Sequence, residues 1–365
     1  MSIIKFNNEQ KMIQDEFRKF ALNEIEPYVE EIEKKAAFPQ KIVSKISELG
    51  LLSLIIPEKY GGVELDVTSL CIAVEELSKV SASIGMILVV NNCFVAYPLI
   101  KYGDESLKEK YLNRLSEGKI GGYICKSEID LPEDIDHFDS QENSFSGVRE
   151  FVLNGEAADF FIFPLSDYHY LIERNSENID FKDQEILGIK AAGIKRLNFS
   201  RVKLTKEILL KPESKGDKIH SDIHNLANIC SSAISLGIAQ ASLDSSIQYA
   251  GERIQFGKQI SQFPMIREML AEMKIRIETG RLLVYDAAEK FDRGLDFSMA
   301  SKIAKIYSGE TGVFCGLNSI QVFGGYGYMR DYPVERYFRD AKVMQLFETI
   351  PRELVADIAL DLLGE

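Results

Sequence analysis

The hydrophobic periodicity of the chain changes twice, and these changes restrict the fold more than any other feature. Up to about residue 120, apolar residues recur at the spacing of an α-helix. From about 121 to 216 the pattern becomes short β-like runs with polar connectors. Helical patterns then return over 223–252, 264–291 and 297–322, and a last helix is predicted near Ile350.

This order predicts a mainly α protein with a central β-domain. We expect an N-terminal helical domain at 1–120, a middle β-domain at 121–216 and a C-terminal helical bundle at 217–365. The charge run 211–218, KPESKGDK, is interpreted as a solvated linker between the last two.

Composition excludes several classes of protein. Of the 365 residues 45% are hydrophobic, which allows a sizeable core and disfavours disorder. A net charge of −13 disfavours nucleic-acid binding. Five dispersed cysteines without a CxxC pair are typical of reduced thiols in a cytoplasmic protein. No signal peptide is evident, and we expect no apolar run long enough to span a membrane.

The segment ERIQFGKQI, residues 252–260, contains a candidate phosphate ligand. Arg253 precedes a Gln-Phe-Gly turn, and its guanidinium suits bidentate contact with phosphate. The simpler interpretation is a surface arginine followed by Gly257 at the end of a helix. Taken alone, the segment favours that simpler interpretation.

A glycine-rich and charged segment follows at 321–342, QVFGGYGYMRDYPVERYFRDAK. Its glycines allow close approach of the backbone to a ligand. It is not GxGxxG after a strand, so a Rossmann site is disfavoured. The dense charges of Arg336, Arg339 and Asp340 are most simply a salt-bridged structural turn.

Two further positions have alternative interpretations. Glu348, in QLFETIPREL, is either a catalytic base or a glutamate placed favourably near the start of a helix. His220 and His224 lie four residues apart and could ligate a metal on one helical face. Because no cysteine or further histidine is near them in sequence, a solvated helix start is favoured, and no metal site is predicted.

Several motifs in a fixed order resemble the acyl-CoA dehydrogenase family of flavoproteins. They are IPEKYGG (56–62), YGDESLKEKYL (102–112), the run at 253–257, LAEM (270–273) and QVFGGYGY followed by YPVERYFRDAK. The resemblance covers both helical regions strongly and the middle region weakly. It implies a helical bundle, a small β-barrel or sandwich and a four-helix bundle, with α,β-desaturation of an acyl thioester as the activity.

The resemblance also implies roles for individual residues. Glu348 matches the base that takes the α-proton, while FAD takes the β-hydride. Cofactor-binding roles fall on residues of two segments, which would contact the FAD of a neighbouring subunit: Arg253, Gln255 and Phe256, and Gln321, Gly324 and Gly325. A shared FAD implies an oligomer such as a homotetramer. Expected partners are acyl-CoA or an acyl-carrier thioester and an electron-transfer flavoprotein.

The chain departs from this family mainly around the flavin. Ile350 replaces a threonine that reaches the flavin, and CKSEIDLPEDID (125–136) replaces a Thr-Glu-Pro run. A Trp-containing segment after 156 is missing, and Asn228 replaces an arginine that helps to hold CoA. Three functions therefore remain open: a FAD-dependent acyl-CoA dehydrogenase, a non-catalytic or half-site subunit of a heteromer, and an acyl-thioester-binding protein without redox activity.

Overall fold

The N-terminal third of the protein is helical. The fold is given by a computed structural model, which describes residues 4–125, 137–139, 141–165, 168–204, 210 and 216–364. Seven α-helices occupy the described residues up to 120, and their bounds are α1 Asn8–Phe20, α2 Val29–Lys35, α3 Gln40–Glu48, α4 Val67–Val80, α5 Ala82–Val89, α6 Tyr97–Tyr102 and α7 Glu105–Ser116.

Helices α5 and α6 form one continuous run through a π-helical turn, Val90–Ala96. Such turns are frequent near functional sites because they rotate the side chains that follow. Here the turn places two buried asparagines against other segments. The Asn91 amide donates to Leu52 O at 2.8 Å and accepts from the Gly121 N–H at 2.9 Å. The π-turn thus fixes the start of the β-region to the N-terminal helices.

The middle region contains two sheets packed face to face. Their strands are β1 Gly121–Tyr123, β2 His137–Asp139, β3 Ser144–Val152, β4 Phe160–Leu165, β5 Tyr168–Glu173, β6 Ile179–Asp183 and β7 Lys195–Lys203. The sheet orders are β1-β4-β5 and β2-β3-β7-β6, and only the β1–β4 pair is parallel. Phe163 of one sheet stacks on Phe199 of the other, with ring centroids 5.4 Å apart. In the described part neither sheet closes, so the arrangement is a sandwich and not a barrel.

Helices return at Gly216, earlier than the predicted start at 223, so the expected solvated linker is wrong for residues 216–218, which are helical. Residues 211–215 of that linker lie outside the described residues. A β-hairpin with two residues in each strand separates the first of these helices from the second. The elements are α8 Gly216–Glu252, β8 Ile254–Gln255, β9 Lys258–Gln259, α9 Pro264–Asp292, α10 Ser298–Phe323, α11 Val334–Leu346 and α12 Pro351–Leu363. The charged segment interpreted as a turn is instead helix α11, and it carries its ion pair inside the helix, between Arg339 and Glu335. The domain boundaries at 120 and 216 stay predictions.

Two helical runs are long and apolar enough to cross a membrane by length and composition, Ala82–Tyr102 and Lys218–Glu252. The expectation that the chain contains no such run is therefore wrong. In each run 94% of the apolar window is buried inside the protein. They are core helices, because their neighbours in the fold already cover them.

A buried ion pair joins α4 to α9. Arg281 donates through Nε and Nη2 to one carboxylate oxygen of Glu75, at 2.9 and 2.7 Å, and Tyr285 donates to the other at 2.8 Å. Burial alone would raise the pKa of Glu75, but the charges of Arg281 and Lys79 outweigh it, so the pKa is lowered. The carboxylate therefore stays charged inside the core.

We expect Arg281→Met to destabilise the protein by about 3–5 kcal/mol, because it leaves the buried Glu75 charge without its main partner. Denaturant unfolding followed by circular dichroism measures the loss. Arg293→Met is the matched control, because Arg293 pairs with Glu289 at 3.4 Å on the exposed surface, and its loss should cost less than about 1 kcal/mol. Equal effects of the two substitutions would contradict the structural role of the buried pair.

Candidate active site

Glu348 lies in a strained turn between α11 and α12. Its φ is +65°, a left-handed conformation that is uncommon for a glutamate. The Thr349 N–H donates to Phe347 O at 2.9 Å across this residue, which is the hydrogen-bond pattern of a γ-turn. Such strain costs on the order of 1–3 kcal/mol and is concentrated at functional sites. The turn directs the Glu348 side chain inward, where only 7% of it is exposed.

The Glu348 side chain lines a cavity of about 630 Å³ between the β-region and the C-terminal helices. Most of the wall is apolar and comes from three segments: the β3 end, the loop before β7, and the α11–α12 turn. The apolar lining residues are Phe151, Leu153, Ile186, Leu187, Ile189, Ile194, Val343, Leu346, Phe347 and Ile350. Glu150, Glu185 and Glu353 also line the cavity, and Glu348 is its buried carboxylate. Largely apolar walls with a few polar groups, one of them a buried carboxylate, are typical of a ligand pocket that carries a catalytic acid or base.

Side chains from distant segments contact the Glu348 carboxylate. The Cys125 thiol, just after β1, donates to Oε1 at 3.0 Å. Nδ1 of His224, in the third turn of α8, lies 3.5 Å from Oε2. His220 stacks beside His224 with ring centroids 3.9 Å apart. Only 13% of the His224 side chain is exposed, so the expectation of a solvated helix start is wrong for this residue.

An aromatic and a cationic residue contact the neighbours of Glu348. The ring of Phe94, from the π-turn, packs against Tyr123, His224 and Phe347. The buried Lys305 ammonium, from α10, donates to Met344 O at 2.8 Å and to Ser231 Oγ at 3.2 Å. Burial lowers the pKa of Lys305 to about 7, and the Glu348 charge opposes this shift. Lys305 therefore anchors the end of α11, from which the Glu348 turn departs.

The loop before β7 is fixed to α11 by the charged motif. Asp340 accepts from the Ile189 N–H at 2.7 Å, and Arg339 Nη1 donates to Leu187 O at 2.9 Å. Between them, a Cβ added at Gly188 would lie 2.5 Å from the Arg339 backbone. Only glycine allows so close an approach. The motif therefore shapes one wall of the cavity.

A second cleft, of about 760 Å³, contains most of the predicted cofactor-binding residues. Arg253, Gln255, Gly324 and Gly325 line it together with an aromatic group: Tyr249, Phe323, Tyr326 and Tyr332. The Arg253 guanidinium lies over the Tyr326 ring, 5.3 Å from its centroid. This cleft shares no lining residue with the Glu348 cavity. A single chain therefore keeps the predicted base and the predicted cofactor ligands in two separate places.

Two predicted cofactor ligands are not among the residues that line this second cleft. Phe256 lies at the tip of the β8–β9 hairpin at φ +51°, and 93% of it is exposed. Gln321 is exposed near the end of α10. Their predicted roles stay predictions.

Comparison with known proteins decides the family. The model of the acyl-CoA dehydrogenase N-terminal domain matches residues 7–119, and that of the acyl-CoA dehydrogenase C-terminal domain matches 221–349. The chain belongs to the acyl-CoA dehydrogenase family. Residues 120–220, which include the divergent middle region, lie outside both matches.

Individual relatives agree over nearly the whole length. An acyl-CoA dehydrogenase of Bacillus subtilis (strain 168) is 35% identical over 93% of this chain and 94% of its own. Butyryl-CoA dehydrogenase from Megasphaera elsdenii is 30% identical, with a TM-score of 0.91 over 99% of both chains. A chain in a structure of the electron transferring flavoprotein of Acidaminococcus fermentans is 31% identical, with a TM-score of 0.92 over 100% of both.

Members of this family typically bind FAD, and the second cleft fits its adenine and pyrophosphate end. No atom lies within 4 Å of a Cβ added at Gly324 or Gly325, so their backbone is open to an approaching phosphate. Arg253 supplies a positive charge, and the stacked rings of Tyr249 and Phe323, 4.0 Å apart, supply an aromatic surface. At the Glu348 cavity, Ile350 offers only an apolar contact, and residues 126–136 lie outside the described part.

Sequence reasoning missed the residues around Glu348. Cys125 is separated from Glu348 by more than half of the chain, and nothing in its neighbourhood marks it. For His224, the apolar residues Ile219, Ile223 and Leu226 around it were an available signal of burial. The small and apolar residues around Lys305 on α10 were likewise an available signal that this lysine is buried. Among the residues that the structure describes, no group of three possible metal ligands occurs.

We expect the buried Lys305 to make stability depend on pH. Its pKa is about 7 in the folded protein and about 10.4 when unfolded, so the unfolded chain binds more protons between these values. The free energy of unfolding should therefore rise with pH, by about 2 kcal/mol from pH 7 to pH 9. In Lys305→Met this part of the rise should disappear. Denaturant titrations at several pH values measure how the free energy of unfolding changes with pH in the wild type and in Lys305→Met. The same pH dependence in both proteins would contradict this prediction.

Proposed function

We propose that the protein is a FAD-dependent acyl-thioester dehydrogenase in which Glu348 is the base. The observation that carries this proposal is the strained turn that directs Glu348 into an apolar cavity. A glutamate that merely caps α12 needs neither a positive φ nor burial. The alternative interpretation as an ordinary helix-start charge is therefore disfavoured.

The side chains of this cavity suit removal of an α-proton. In an apolar wall a carboxylate is poorly solvated, which favours its acceptance of a proton from carbon. Cys125 and His224 hold the two Glu348 oxygens, so the carboxylate keeps one orientation while the substrate binds. The apolar residues of the wall exclude water from the reacting carbons. FAD, when bound, supplies the acceptor for the β-hydride.

The separation of the two clefts supports a shared cofactor site. The cleft at Arg253 lies apart from Glu348 in one chain, so a flavin near Glu348 would draw its adenine-end ligands from a neighbouring subunit. We therefore propose an oligomer, with acyl-CoA or an acyl-carrier thioester as the substrate. The similarity to a chain in the Acidaminococcus fermentans structure supports an electron-transfer flavoprotein as the electron acceptor.

A second candidate is a half-site subunit of a heteromer. It is favoured by Ile350, which lines the Glu348 cavity and offers no hydrogen bond where a flavin donor is expected. In that case this chain would complete the FAD site of a paralogous subunit through Arg253. A third candidate is binding of an acyl thioester without redox activity. It applies if no flavin binds next to Glu348 in a homo-oligomer or in a heteromer.

Glu348→Gln tests the proposed base. The amide cannot accept the α-proton, so we expect the flavin of the purified variant to stay oxidised when acyl-CoA is added without oxygen. The wild-type flavin should bleach, and flavin content should be equal in both proteins. Glu289→Gln, an exposed carboxylate on α9, is the matched control and should bleach like the wild type. Bleaching of Glu348→Gln at the wild-type rate would exclude Glu348 as the base.

Arg253→Met tests the second cleft. Loss of the guanidinium should lower the flavin content several-fold, because the pyrophosphate loses a charge-assisted contact worth roughly 1.5–3 kcal/mol. The visible spectrum of equal amounts of protein measures this, with Arg293→Met as the control. If this chain alone is colourless, the same pair is compared after co-expression with a paralogue. Equal flavin content in both variants in both settings would contradict the cofactor role of Arg253.

A further inference from the structure

We propose a second activity for the Glu348 cavity, the isomerisation of β,γ-unsaturated acyl thioesters to their α,β-unsaturated isomers. The substrate class is a 3-enoyl thioester, and Glu348 moves one proton from the α-carbon to the γ-carbon. The inference rests on the base and the acyl-thioester site proposed above. It goes beyond them because the reaction is redox-neutral and needs no electron acceptor.

The first argument is the shielding of the carboxylate. Only 7% of the Glu348 side chain is exposed. The Cys125 thiol donates to Oε1 at 3.0 Å, and Nδ1 of His224 lies 3.5 Å from Oε2. A base that is covered in this way loses a captured proton to water slowly. It can therefore return the same proton to another carbon of the bound substrate.

The second argument is the chemistry of the cavity lining. Apart from four glutamates, two histidines and Cys125, the residues that line it in the described part of the chain are all apolar. The hydrocarbon part of a 3-enoyl group needs no polar partner, so this wall suits it. The imidazole of His220 lines the same cavity and can supply an N–H donor for the thioester oxygen. The lining thus fits an unsaturated acyl chain with one polar end.

The third argument is the fixed shape of the cavity. Three of its lining residues, Phe151, Ile189 and Glu348, have left-handed backbone conformations, with φ of +54°, +46° and +65°. This conformation is particularly unfavourable for the β-branched Ile189. Strained backbone of this kind is retained where it holds a ligand or a catalytic group in position. Return of the proton to the γ-carbon needs such a cavity, because the acyl chain must not rotate between the two proton transfers.

The chemistry balances without an added reactant. In a 3-enoyl thioester the α-carbon lies between the carbonyl and the double bond, so both groups stabilise the anion that forms when Glu348 removes its proton. The electron pair is delocalised over the thioester oxygen, the α-carbon and the γ-carbon as a dienolate. The double bond then forms between the α- and β-carbons, and Glu348 gives the proton to the γ-carbon. Substrate and product are isomers, so nothing is oxidised or reduced.

The test uses the purified protein, with the flavin it carries, and 3-butenoyl-CoA as the probe in the absence of oxygen. Proton NMR should show conversion to crotonyl-CoA. In Glu348→Gln the conversion should be about a hundredfold slower, the size expected for loss of a general base. Glu289→Gln, at an exposed carboxylate on α9, should keep the wild-type rate. The 3-butenoyl thioester of pantetheine is a second probe, because it lacks the nucleotide of CoA.

A labelled substrate tests the route of the proton. The α-carbon of the probe carries deuterium, and the reaction runs in ordinary water. Because Glu348 is shielded from water, we expect NMR and mass spectrometry to find part of the transferred label at the γ-carbon of the product. Transfer through a water molecule would instead leave none of it there.

Three results would overturn this proposal. They are no conversion of either probe by the wild-type protein, an equal rate in Glu348→Gln, and complete loss of the transferred label to water. The assay does not read hydride loss, so its outcome is separate from that of the bleaching experiment. Bleaching without isomerisation would overturn this inference alone, and isomerisation without bleaching would overturn the proposed dehydrogenase alone.

Discussion

The burial of α8 is the constraint on which the rest of the structure depends. A helix that is apolar over most of its surface has to be surrounded, and α8 packs against α4 of the N-terminal region and against α9, α10 and α11. The helical regions on either side of the β-sheets therefore share one core. The candidate site forms beside the first turns of α8, where Ile219 and Ile223 are buried in this core and His224 lies next to Glu348.

Long and strongly periodic helices could be predicted from the sequence, because their pattern is local. The limits of α9 and α10 and the end of α8 follow from runs of apolar and small residues, whereas the start of α8 at Gly216 was missed. The β-region follows from its short alternating runs. Helix α11 was missed as a helix because its charges hid the apolar residues Val334, Ala341 and Met344, which are buried. In this segment the charged residues are more conspicuous in the sequence than the helical spacing of the apolar residues.

Of the residues around the carboxylate, only Glu348 itself could be predicted from the sequence. Its motif is local, whereas the residues that contact it are distant in the chain. Glu348 stands in a recognisable motif, whereas Cys125 and His224 reach it from other parts of the chain. A single sequence gives no indication of contacts between residues so far apart in the chain. In the structure a thiol and an imidazole lie beside the Glu348 carboxylate, and the apolar Ile350 lines the same cavity.

The apolar run Ala82–Tyr102 has a consequence for synthesis of the chain. Part of its cover is α8, which begins only at Gly216, so the ribosome must complete the whole β-region before that cover exists. At about 5–20 residues per second the delay is on the order of ten seconds. During this time the nascent N-terminal region exposes a surface as apolar as a membrane helix, and a chaperone that shields such surfaces would be needed until α8 emerges.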